Sequence, residues 1–156
     1  VKNTRWLVSS LLLGLSGMVG AQCVSTPRYA FNGLVRIEYP RTGGSAFLQQ
    51  ACDAGSRQLR MDVMSAARQQ GIPVSWVEIY AARGWGSTFH DLIYKTRASG
   101  YGQADFKKYS VAPRTNMSSG ELLVYATKTG KYIAMRSYRE GSSTANTRDV
   151  FVVYGN

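Results

Sequence analysis

His90 is the only histidine of the chain, and it stands beside Asp91. Imidazole next to carboxylate is a unit of acid–base chemistry, but catalysis by a histidine pair needs a second imidazole that the composition excludes. A Ser–His–Asp triad is assembled in space, yet no GxSxG turn marks a nucleophile. Lys128-Thr129-Gly130 echoes a motif of serine β-lactamases without its company, since no serine is followed three positions later by lysine. It reads as a turn. The glycines of GYGQAD, 100–105, lack the preceding strand and long following helix that dinucleotide binding requires. Two cysteines and one histidine cannot make a zinc site, and the few scattered acids make no calcium loop. No metal or other cofactor is implied. One catalytic arrangement remains. Glu38 and Glu78 both fall on predicted strands, and as neighbours they would suit a hydrolase acting on an envelope polymer; the plainer reading is two solvated strand residues.

The two cysteines carry more information. Lys2 and Arg5 open the sequence, Trp6 to Val19 is mostly apolar, and Val19-Gly20-Ala21 is small where a signal peptidase reads. This predicts a secretory signal peptide over 1–21, too short for a membrane span of roughly 20 residues, and leaves no transmembrane span in the mature chain. Gln22 before Cys23 argues against a lipid anchor. An exported chain is periplasmic or extracellular, and in an oxidising compartment Cys23 and Cys52 are expected to pair.

Residues 22–156 then form one domain, long enough for a real core. Of 19 Lys and Arg, Lys2 and Arg5 lie in the signal, so the remaining 17 exceed the 9 acids by eight. Such a chain is drawn to anionic partners: nucleic acid, envelope polysaccharide or an acidic envelope protein.

The elements follow from periodicity. GLVRIEY, 33–39, alternates as a half-buried strand ending at Pro40, and RTGG turns. Ser45 is placed to cap a helix over 46–70, with Gly71 closing it and Pro73 beyond. VSWVEIYAAR, 74–83, reads as a second strand, with Val77 and Ile79 on one face and Trp76, Glu78 and Tyr80 on the other. A second helix starts near Ser87 or Thr88, with Phe89, Leu92, Ile93 and Thr96 as its apolar stripe and Gly100 at its end. Four strands follow, at 104–111, 121–127, 131–138 and 149–154, the middle pair joined by the KTG hairpin and the last preceded by a polar loop, REGSSTANTR. The fold class is α+β: a mainly antiparallel sheet with two helices on one face, in the order β-α-β-α-β-β-β-β.

Sorting the late strands by alternation points Leu122, Val124, Ala126, Ile133 and Met135 at the helices. Leu123, Tyr125, Tyr132, Ala134, Arg136 and Tyr138 then share the other face. A tyrosine and arginine sheet face, with Lys108 nearby, can stack and charge-pair a flat or anionic ligand. The sequence thus predicts a non-catalytic binding protein with Tyr125, Tyr132, Arg136, Tyr138 and Lys108 as its surface.

Overall fold

The computed structural model describes residues 23–24, 26–37, 49–81, 86–140 and 148–156, with the backbone alone at 86–89 and 148. The signal-like segment, Glu38, the RTGG turn, the Ser45 cap and 141–147 of the polar loop lie outside these residues. The α+β class holds. A hairpin of β1 (Tyr29–Ala30) and β2 (Val35–Arg36) precedes helix α1 (Ala54–Gln70) and β3 (Trp76–Ala81). Helix α2 (Gly86–Ala98) leads to β4 (Gly102–Gln103), a 3-10 turn (Phe106–Tyr109), β5 (Ser118–Ala126), β6 (Tyr132–Glu140) and β7 (Arg148–Gly155). The main sheet runs β3-β7-β6-β5-β4, every pair antiparallel.

The helices do not share a face. Leu59, Val63, Ala66 and Ala67 of α1 pack on Val77, Ile79, Val124, Ala134 and Val152. Leu92 of α2 packs on the opposite side with Tyr80, Ile133, Met135, Phe151 and Val153, joined there by Ala30, Phe31, Val35 and Ile37 of the hairpin region. The reason is visible in β6 and β7. Both are apolar on alternate and intervening positions, so neither face can be left in water.

Three boundaries also move. Asp53, not Ser45, caps α1: its carboxylate accepts from the Ser56 N–H at 3.1 Å and the Ser56 hydroxyl at 2.8 Å. Residues 49–51 cannot be helical because they bond the edge of β3, with the Ala51 N–H on the Ile79 carbonyl at 2.8 Å and the Ala81 N–H on the Gln49 carbonyl at 2.7 Å. Half of the predicted strand over 104–111, Phe106–Tyr109, is the 3-10 turn, and the rest forms no strand. Asp105 caps the turn by accepting from the Lys107 N–H at 3.0 Å, a local bond that competes with strand pairing. Of the predicted strand over 33–39, the described residues 33–37 form a ladder only at Val35 and Arg36, and with β1 rather than the main sheet.

Both helix ends are glycine stops in left-handed backbone. Gly71 has φ 67° and its N–H reaches the Arg68 carbonyl, while Gly100 has φ 91° and reaches that of Arg97. A Cβ at Gly100 would meet no neighbour within 4 Å, so only backbone strain opposes a side chain there. Gly100→Ala is therefore expected to lower stability by about 1 kcal/mol in denaturant titration; an unchanged midpoint would show that this conformation is not required.

Candidate functional site

The sheet residues expected to bind a ligand are not one surface. Ala126 lies opposite Tyr132, Val124 opposite Ala134 and Leu122 opposite Arg136, so these share the α1 face. Tyr125 pairs with Ile133 and points to the other side. A shift of one residue in the assumed pairing moves every side chain across the sheet, and that shift separates the expected face from the observed one. Tyr132 is 1% exposed and Tyr138 4%. They are core.

The α1 face is closed over them by residues 105–111. The Tyr109 ring stacks on Tyr132 at 4.1 Å, and Tyr132 meets Tyr154 edge-on at 6.3 Å. Each buried hydroxyl has its partner: Tyr132 donates to the Pro73 carbonyl at 2.7 Å, and Tyr154 donates to the Tyr109 carbonyl at 2.6 Å and accepts from the Val111 N–H at 3.0 Å. These bonds allow an amphipathic ring to behave as a core residue. Arg136 is half-buried and donates to the Ser110 hydroxyl at 3.3 Å, which ties the same cover to the sheet. No carboxylate among the described residues pairs with it. Lys108 stays in water, its ammonium 5.4 Å from the centre of the Tyr109 ring.

Glu78 is held in a different role from the one a hydrolase would need. Phe31 and Asn32 have φ of 57° and 54°, an uncommon conformation for residues other than glycine, and it aims their two N–H groups at one point. Glu78 sits there, Oε2 accepting from Phe31 and Oε1 from Asn32, both at 2.8 Å. The Tyr80 hydroxyl donates to Oε2 as well. Successive backbone N–H groups form an anion cradle, and the anion is the protein's own carboxylate. Nearby, Cys23 and Cys52 are disulfide-bonded with Cα atoms 5.7 Å apart, as expected. His90 is exposed on α2. Among the described residues no group of three or more His, Cys, Asp and Glu is gathered to hold a metal.

Two outward-facing regions among the described residues bear on function. The first joins the hairpin to α2. Tyr29 and Arg36 are cross-strand partners on the hairpin's exposed side, and Lys95 donates to the Arg36 carbonyl at 3.4 Å. Along α2, His90, Tyr94 and Arg97 follow at spacings of four and three and share one exposed stripe. Tyr29 is 54% and Tyr94 72% exposed. Asp91, 2.9 Å from Lys95, is the acid at this surface among the described residues. The Tyr94 and Arg97 spacing, off the apolar stripe of α2, is readable in the sequence; the partnership of Tyr29 with Arg36 is not. The second region is a cleft of about 400 Å3 between α1 and the outer edge of β3, walled by residues including Arg57, Arg60, Gln50, Val77 and Cys23. Comparison with protein-family models, curated proteins and solved structures finds no match to this chain.

The tyrosine layer has a measurable consequence. Burial pushes Tyr154 up to about 12, raises Tyr132 and Tyr138, and raises Tyr80 further, where the Glu78 charge adds to burial. In the unfolded chain these groups ionise near pH 10, so between about pH 10 and 12 the unfolded state releases protons that the fold retains. The stability they contribute is complete below about pH 10 and declines as the pH rises. Denaturant midpoints should fall steeply from about pH 10, with phenolate absorbance for the buried rings appearing only on unfolding. Full ionisation of all ten tyrosines in the folded protein would contradict the burial described.

Proposed function

We propose that this chain is an exported, non-catalytic interaction protein that binds an anionic polymer, nucleic acid or envelope polysaccharide, through the surface shared by the hairpin and α2. The observation that carries the reading is the pair of exposed tyrosines, Tyr29 and Tyr94, set among Arg36, Lys95 and Arg97. Tyrosines on a solvated surface offer flat faces for bases or sugar rings, and the cations beside them draw in a polyanion. The disulfide and the signal-like start support export. Among the described residues no helix is long and apolar enough to cross a membrane. The engagement of Glu78 by two N–H groups and a hydroxyl weighs against the hydrolase reading, because a general acid or base must be free to exchange its proton.

Two contributions should separate in a binding assay with a single-stranded oligonucleotide and a sulfated polysaccharide. Arg97→Ala and Arg36→Ala should weaken binding at low salt and matter less at high salt, because screening and counterion release govern that part. Tyr94→Ala should weaken binding at both, by about 1–3 kcal/mol for a stacked base. No binding to either polymer, or affinity unchanged in the Tyr94 and Arg97 variants, would contradict this function.

A further inference from the structure

We propose a second binding site, independent of the α2 surface: the cleft between α1 and β3 takes a small sugar acid, its carboxylate held by Arg57 and Arg60 and its hydroxyls by the polar groups opposite. The cleft encloses about 400 Å3, which falls within the roughly 300–1,000 Å3 of small-ligand sites. One wall is the first half of α1, and the other carries Asn32, Gln50 and Glu78. Chain direction places the two arginines. Residues 49–51 bond Ile79 and Ala81 just before α1 begins, and α1 ends shortly before Trp76, so the helix runs back along β3. Arg57 therefore sits at the Ile79 end, where it donates to the Cys52 carbonyl at 2.7 Å. Arg60 lies about 4.5 Å further along, toward Val77 and Ser75, at 1.5 Å per residue.

The two walls ask for different chemistry. Arg57 and Arg60 are both exposed and both line the cleft. Like charges three positions apart on a helix repel. The positions three and four away from Arg60 hold Ser56, Arg57, Val63 and Met64, so no acid on its own helix offsets that repulsion. A carboxylate between the two guanidinium groups replaces it with charge-assisted hydrogen bonds. Across the cleft, Glu78 has about four lone-pair sites, three of which accept from Phe31, Asn32 and Tyr80. That wall repels a second anionic group and accepts from a hydroxyl. Asn32 and Ser75, both exposed, add groups that donate as well as accept. The lining between is apolar, with Ala51 and Val77, and suits the C–H side of a ring. A sugar acid carries all three complements on one ring. A neutral sugar lacks the charge, and a bare inorganic anion lacks the hydroxyls and the ring.

The probe is glucuronate, with glucose and inorganic sulfate as controls at equal ionic strength, titrated into the disulfide-intact chain and followed by amide NMR. Glucuronate should shift the Arg57, Arg60 and Ser75 amides and saturate, and both controls should bind roughly tenfold more weakly or not at all. Arg60→Gln should weaken glucuronate binding roughly tenfold or more, Arg60→Lys by less, and Arg97→Ala should leave it unchanged, which separates this site from the α2 surface. If an Arg60 variant fails to fold, the comparison of the three probes on the unmodified chain decides the matter. A short uronic-acid oligomer that binds through the same amides would identify the end of an acidic polysaccharide as the source, and binding of the monomer alone a free sugar acid; either result supports the site. Glucose binding as well as glucuronate, sulfate binding as tightly, shifts confined to α2, or an affinity unchanged in folded Arg60→Gln would overturn the proposal.

Discussion

One carboxylate holds the N-terminal hairpin on the sheet. The main sheet is apolar on both sides at β6 and β7, so each side needs a cover. On one side α1 and residues 105–111 supply it. On the other, α2 supplies part, and the rest comes from Ala30 and Val35 on strands of two residues each and from Phe31 and Ile37 just beyond them. A ladder that short is not stable alone. Glu78 makes it part of the sheet: its carboxylate satisfies two N–H groups in backbone that is unfavourable without them, and bonds to charged acceptors contribute about 1.5–3 kcal/mol each. The disulfide, with a sequence separation of 29, adds on the order of 3–4 kcal/mol by restricting the unfolded chain. Two fasteners of different chemistry therefore hold one small lobe, and the lobe closes the second half of the core.

The same anchoring sets the outer surface. With the cross-strand pair Ala30 and Val35 buried against the sheet, the neighbouring pair, Tyr29 and Arg36, must face solvent. Lys95 then bridges from α2, so the basic and aromatic stripe of the helix continues onto the hairpin. The cleft on the opposite side of β3 depends on the fasteners too, because Cys23 and Asn32 form part of its wall. Both regions are thus shaped by how the lobe is fixed.

Local chemistry made much of the fold legible. Gly71 and Gly100 mark helix ends because their positive φ is a property of one residue, and the turn at 127–131 follows from its own composition. The cysteine pair followed from compartment reasoning. What escaped depends on partners far away in the chain. Tyr132 and Tyr138 look like surface residues until Tyr109, Pro73 and Tyr154 supply their contacts. The pairing of Tyr125 with Ile133 is a register, and alternation within a strand does not fix register between strands. Both sides of β6 and β7 are apolar, which is readable as composition, but assigning each helix to its side is not. Glu78 reaches residues 46 and 47 positions away, so its role was hidden although its place on a strand was not.

The anchoring role of Glu78 is tested most directly by amide hydrogen exchange in the disulfide-intact protein, comparing the natural chain with Glu78→Gln. The variant keeps the shape but has one acceptor oxygen and no charge. The account predicts that the Phe31 and Asn32 amides exchange roughly tenfold faster or more, while amides in the centre of β6 and β7 keep their protection. Unchanged protection of Phe31 and Asn32 in the variant would show that the hairpin is held without this carboxylate, and would contradict the account.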